Sequence, residues 1–217
     1  MSGAVVIGAG PGIGQAVARR FAEEGLPVAV VARSARTLEQ AVASLAPYGV
    51  PVVTATADSA DEDALRAALD KAAAELGPPD VVVYNAAIVQ ADRPGELDAR
   101  AQLDAWAVNV VGALTAAAHV APGMAARGGG TFLITGGMPE PKSGYVSLSL
   151  GKAGVRTLVT LLDQEYGADG VHVASVTVGG VVAPGTAYDP DDIAAHYWRL
   201  HTQPRGQWEH EARILGP

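Results

Sequence analysis

The stretch Ala4-Val5-Val6-Ile7-Gly8-Ala9-Gly10-Pro11-Gly12-Ile13-Gly14 decides the fold. Four apolar residues read as a strand, the glycines follow at once, and a helical pattern runs from Ile13 to Glu24, closed by Gly25. A glycine-rich turn between strand and helix lets backbone amides and the positive helix end approach a pyrophosphate, because no Cβ stands in the way. Gly8, Gly10, Gly12, Ile13 and Gly14 are therefore candidate contacts to a dinucleotide. A lone glycine motif is weak, and its place at the first strand–helix junction gives it weight.

Outward from this turn, apolar runs alternate with longer helical patterns. Strands are expected at Val28–Val31, Val50–Ala55, Asp80–Tyr84, Thr131–Thr135, Val171–Val178 and near Glu209–Ile214. Helices are expected at about Ala35–Leu45, from a cap at Ser59 or Asp61 to Leu76, and at Leu97–Ala126, with room for a break near its start. Two more follow, at Val146–Tyr166 and about Asp191–Leu200. Strands that are apolar throughout and separated by helices imply a parallel sheet covered on both faces. The expectation is an α/β fold: one doubly wound domain spanning residues 1–217.

Composition narrows the function classes. With 217 residues, one domain is the natural prior, and 49% hydrophobic residues suffice for a large core. The net charge is −8 and no basic run occurs, which argues against a nucleic-acid partner. There is no cysteine, so disulfides, thiolate metal sites and cysteine nucleophiles are excluded. His196 and His201 are five positions apart, which separates them on a helix, and no metal site is expected. No apolar stretch approaches the roughly 18 residues of a membrane helix, and no basic leader precedes the first strand, so a cytoplasmic protein is expected.

The spacing Gly8-x-x-x-Gly12-x-Gly14 resembles the short-chain dehydrogenase/reductase family, and the resemblance continues in chain order. Asp58-Ser59 resembles that family's adenine contact, Asn85-Ala86-Ala87 its Asn-Ala-Gly signature, Asn109 its helix asparagine and Lys152 its active-site lysine. Gly179-Gly180, followed by Val181, stands where the family has Pro-Gly. The resemblance implies a Rossmann-type fold, a nicotinamide cofactor, a small-molecule substrate, and a homodimer or homotetramer packed through the helices around Asn109 and Lys152. The second strand ends Val31-Ala32-Arg33-Ser34, with Arg36 beyond, and has no acidic residue for a ribose 2′-hydroxyl. Arg33 and Ser34 suit a 2′-phosphate, so NADP(H) is expected over NAD(H).

The catalytic positions depart from the pattern. The family carries Tyr-x-x-x-Lys with a serine about thirteen residues before the tyrosine, a proton donor and its partner. Here the tyrosine position falls on Leu148 and the serine position on Gly137, in Thr135-Gly136-Gly137. Tyr145 precedes Lys152 with six residues between, a spacing that resembles the enoyl-thioester reductases. There the tyrosine stabilises a developing enolate oxygen. The tail from Asp189 to Arg205 also resembles a subgroup that lacks the usual tyrosine. The resemblance thus implies Tyr145, Lys152 and Asn109 as catalytic residues, and Gly137, Leu148 and Tyr188 as substrate neighbours, under a short lid at about 183–204. The expected activity is NADP(H)-dependent reduction of an activated C=C or C=O bond. The alternatives are a non-redox cyclase, dehydratase or ligand-binding role, or a catalytically impaired subunit.

Overall fold

The computed structural model describes residues 3–216. Seven parallel strands form one sheet: β1 (Ala4–Ile7), β2 (Val28–Ala32), β3 (Val52–Thr56), β4 (Val81–Tyr84), β5 (Gly130–Gly137), β6 (Val171–Val178) and β7 (Glu211–Ile214). Their order is β3-β2-β1-β4-β5-β6-β7, a Rossmann-like doubly wound arrangement. Seven helices complete it: α1 (Ile13–Glu23), α2 (Ala35–Leu45), α3 (Glu62–Leu76), α4 (Ala99–Trp106), α5 (Gly112–Ala126), α6 (Val146–Tyr166) and α7 (Pro190–His201).

The central strands are buried on both faces, which is why their sequences are continuously apolar rather than alternating. Val6, Val30 and Val83 face a core layer with Phe21 of α1, Leu45 of α2 and Tyr197 of α7. Val5, Val31 and Val82 face the opposite layer, with Leu65 of α3, Ala117 of α5 and Val155 of α6. Small alanines on α1 and α5 let these helices lie close to the sheet, and they are fully buried at Ala16, Ala113 and Ala116.

Local chemistry sets the helix starts. Ser34, Asp61, Asp98 and Asp189 each accept a backbone N–H of the first turn, the N-cap role of short polar side chains. Asp61, not Ser59, therefore starts α3. The long helix begins at Ala99 rather than Leu97, and its break is a π-helical segment, Ala107–Val111, that carries Asn109. Strand β5 runs two residues past the expected Thr135, into Gly137.

One expectation needs correction. The continuous helix Ala99–Ala126 has 28 residues, and its most apolar window reaches a mean hydropathy of 1.3, enough by length and composition to cross a membrane. Half of that window is buried inside the protein, against α3, α6 and β5, as befits a core helix. The helix is apolar in two segments joined end to end across the π turn, so its length does not show as one uninterrupted apolar run in the sequence.

Gly8 ends β1 with φ +87°, and a Cβ there would lie 2.5 Å from the Ala86 nitrogen. Both the left-handed backbone and the close approach exclude a side chain. Gly8→Ala should lower the unfolding free energy by about 2–4 kcal/mol, measured by urea denaturation. A loss below about 0.5 kcal/mol would mean that the turn relaxes freely.

Candidate active site

The sheet order makes β1 and β4 neighbours, and the connections leave them towards opposite flanks, so a crevice opens at their carboxyl ends. Two cavities occupy it. The first, about 560 Å³, is lined by Gly8 and Gly10, by Ala32, Arg33 and Ser34 after β2, by Ala57 and Ser59 after β3, and by Asn85, Ala86 and Ala87 after β4. The second, about 430 Å³, is lined by Thr135 and Gly137 of β5, by Met138, Lys142 and Tyr145, by Leu148 and Lys152 of α6, and by Gly179–Val182. Asn85 and Ala87 line both, so the cavities adjoin.

The glycines of the first turn divide their work. A Cβ at Gly14 would strike the Gly8 carbonyl and lie 2.9 Å from the Ala9 Cα, so Gly14 permits helix-on-strand packing. Gly10 and Gly12 face open space instead. Gly12 is the N-cap of α1 with φ +109° and no side-chain cap, and while the Gln15 N–H donates to the Gly10 carbonyl, the Ile13 and Gly14 amides are left free to meet an anion. The Asn85 amide donates to the Gly8 carbonyl at 2.8 Å and ties the turn to β4.

At the far end of this cavity Arg33 is exposed and has no ion-pair partner among the described residues. Ser34 accepts from the Thr37 N–H at 3.2 Å and shares a 2.8 Å hydrogen bond with the Thr37 hydroxyl. No carboxylate lines this cavity. Asp58 is exposed and accepts from the Ala60 N–H at 3.0 Å, while its neighbours Ala57 and Ser59 reach the cavity wall. Gly112 is absent from both walls; it makes room for the Tyr84 hydroxyl and the Ser59 carbonyl. Burial raises the Tyr84 phenol to about 12, and its O–H donates to the Val108 carbonyl at 2.6 Å.

The second cavity is organised by α6. Lys152 is buried, and its ammonium donates to the Thr135 carbonyl at 2.7 Å. Burial lowers its pKa to about 8, from the usual lysine range. Leu148, one turn earlier, is buried and lines the same cavity. A Cβ at Gly137 would lie 3.6 Å from the Lys152 Cε, so the bare glycine does face the lysine. Tyr145 is the N-cap of α6 and half-exposed on the cavity wall, with no partner for its hydroxyl among the described residues.

Asp92 fixes this helix start. Its backbone bridges to Gly144 and Val146, and its buried carboxylate accepts from the Ser147 N–H and hydroxyl at 3.0 and 2.9 Å and from Gln102 at 3.3 Å. Asn109 spends both ends of its amide on Ile88, accepting from its N–H at 2.7 Å and donating to its carbonyl at 3.2 Å. Its side chain thus clamps the loop after β4 and makes no bond to Lys152. Gly151 lets α6 approach Asn109, since a Cβ there would lie 2.8 Å from the Asn109 Cβ.

Three features were missed in the sequence. Thr135 donates to the Asn85 side-chain oxygen at 2.8 Å and lies 2.6 Å from the Tyr197 hydroxyl. A threonine has one proton to give, so Tyr197 donates to Thr135. Tyr197 is fully buried, and burial raises its phenol well above the usual range. Met138 adopts φ +45°, the sole non-glycine at positive φ among the described residues, and Arg156 donates to the Gly137 and Met138 carbonyls at 3.2 Å each. Lys142 stands on the cavity wall. Partners separated by dozens of residues carry no local signal, although the Lys142–Tyr145 turn directly precedes the Tyr145-to-Lys152 spacing.

Tyr188 lies outside both cavity walls. Its ring covers Gly180 and its hydroxyl donates to the Leu215 carbonyl at 2.7 Å, so it props the segment after β6 from behind. Among the described residues no group of three or more His, Asp or Glu side chains could hold a metal ion.

The family model described as short chain dehydrogenase matches residues 2–193. The chain belongs to the short chain dehydrogenase family. Cis-4-hydroxycyclohexanecarboxylate dehydrogenase of Sinomonas cyclohexanicum is 34% identical over 197 residues, covering 88% of this chain and 78% of the relative. The alcohol dehydrogenase of the archaeon Thermococcus sibiricus, solved with 5-hydroxy-NADP, superposes with a TM-score of 0.88 at 27% identity, over 98% of this chain and 95% of that one. A metagenomic short-chain oxidoreductase solved with NADP gives a TM-score of 0.89 at 27% identity, over 98% and 96%. This short-chain dehydrogenase is thus an oxidoreductase by family, on a Rossmann-like fold.

Proposed function

We propose that the protein is an NADP(H)-dependent reductase acting on a C=C bond conjugated to a carbonyl, in preference to a simple ketone. The observation that carries this reading is the adjoining pair of cavities, with glycines and an unpaired Arg33 on the wall of one and both Tyr145 and buried Lys152 on the wall of the other. The cradle fits a dinucleotide: Gly10 and Gly12 leave open space where side chains would obstruct, and the uncapped start of α1 faces it. Gly8, Ile13, Asn85–Ala87, Ser59, Gly180 and Val181 would complete the holding set, and Asp58, next to Ser59, would accept from the adenine amine. The reduced nicotinamide, when bound, supplies a hydride to a substrate carbon.

As negative charge develops on the substrate carbonyl oxygen, the Tyr145 hydroxyl donates a hydrogen bond to it and holds the enolate, which takes a proton from solvent water at its α-carbon to complete the reduction. The Lys152 ammonium holds the nicotinamide ribose and adds positive charge to the pocket. Asn109 acts at a distance, fixing the loop that carries Ala87 through the Ile88 peptide. Leu148 and Gly137 shape an apolar wall where an ordinary carbonyl reductase would offer hydroxyls.

Those same two residues favour a second reading, a cofactor-binding protein with no redox step. NADPH that binds and is never oxidised, whatever enone, ketone or imine is offered, would point there. The exposed apolar side chains Leu103, Trp106, Val111, Leu114, Leu150 and Leu161, on α4 to α6, support a homodimer or homotetramer.

Arg33 tests the cofactor. Fluorescence titration should show NADPH binding at least about tenfold tighter than NADH, and Arg33→Ala should erase most of that difference. Equal affinity for both cofactors in the parent protein would remove the NADP preference.

A further inference from the structure

We infer that the substrate is a compact apolar molecule bearing a carboxylate, and that Lys142 is the residue that reads this charge. The inference rests on the proposed reading of the second cavity as the substrate site and adds the substrate's class.

The second cavity is apolar over most of its wall, with Val89, Met138, Leu148, Val181 and Val182 around it. Val89 and Val181 are 69% and 86% exposed, large side chains left at the rim with nothing covering them. An apolar occupant would bury them. Into this surface project two cations, Lys142 and Lys152, and no carboxylate. The chain as a whole carries a net charge of −8, so a cavity with only cations is set against the general field of the molecule.

The two lysines differ. Lys152 is buried and bonded to the Thr135 carbonyl. Lys142 is exposed, and its ammonium has no ion-pair or hydrogen-bond partner among the described residues. Its backbone is nonetheless fixed. Its N–H donates to the Ser149 hydroxyl at 3.1 Å, and its carbonyl accepts from the Tyr145 N–H at 2.9 Å and from the Ser149 hydroxyl at 3.4 Å. Glu140, two positions before Lys142 in the chain, forms no ion pair with it, and the buried Asp92 carboxylate is engaged by Ser147 and Gln102. An ammonium without a counter-ion, on a fixed backbone at the wall of an apolar cavity, matches a single negative charge on an apolar body. One ammonium suits a carboxylate better than a phosphate dianion, which needs several donors to replace its water.

Binding of cyclohexanecarboxylate and of its neutral isostere cyclohexanecarboxamide to the NADP⁺-saturated protein, followed by calorimetry, tests this. The carboxylate should bind about tenfold tighter than the amide, with the advantage lost in Lys142→Gln and kept in Lys142→Arg. Equal binding of the two, binding of neither, or a preference that survives in Lys142→Gln would overturn the inference. NADPH affinity measured on the same variants reports that they are folded. Failure of the redox reading shows separately: carboxylate selectivity with no NADPH oxidation leaves this inference standing, and oxidation by neutral enones without charge selectivity leaves only the redox reading.

Discussion

Lys152→Met should lower kcat/KM for NADPH-dependent reduction by about three orders of magnitude, within the range for losing a group that acts on a proton-transfer site. kcat should fall and KM for NADPH should rise, because one ammonium serves ribose and pocket. The fold should survive. Burial lowers this lysine to about 8, so in the folded protein its charge costs of the order of 3 kcal/mol below that pH. The folded value lies under the unfolded one, so this cost is present at neutral pH and fades as pH rises from about 8 towards 10.5. Methionine removes it, at the expense of the bond to the Thr135 carbonyl. The thermal midpoint should therefore stay close to that of the parent. In the parent, kcat/KM should fall as pH rises through about 8, where the free enzyme's ammonium is lost. A flat profile from neutral pH upward would remove the charge of Lys152 from catalysis.

Tyr145→Phe is the second large effect. A hydrogen bond to a developing oxyanion contributes about 10²–10³ in kcat when removed. Phenylalanine keeps the ring against the cavity wall, and Tyr145 enters the turn through backbone bonds to Lys142 and Ser149 that the substitution leaves intact. NADPH affinity should therefore change less than about twofold while kcat falls at least about a hundredfold. Unchanged turnover would take Tyr145 out of the mechanism and leave Lys152 as the ionisable group on that wall with a buried, fixed position.

The residues that could be read in advance share a property: their chemistry is local in sequence. Ile7 to Gly14 shows a strand, a turn and a helix start within eight residues, and the two core layers follow from apolar runs whose period is visible over short windows. Lys152, Tyr145 and Leu148 sit within two turns of one helix, so their relation is a matter of counting. Asp92 and Ser147 are 55 positions apart, and Thr135 and Tyr197 are 62 apart. No periodicity announces such bonds; they arise only once β5, α6 and α7 are packed together. For Tyr188 the position after β6 implies a substrate neighbour, but the bare backbone at Gly180 lets its ring pack there, outside both cavity walls. Asn109 stands on a π segment, and that local widening of the helix turns its amide onto Ile88.

The most direct test mixes the NADPH-loaded enzyme with a panel of enones, ketones and imines and follows the absorbance of the reduced nicotinamide. The account predicts rapid loss of that absorbance with at least one enone, slower loss with the matching saturated ketone, and loss of both reactions in Lys152→Met. Stable absorbance across the panel, with NADPH demonstrably bound, would contradict it.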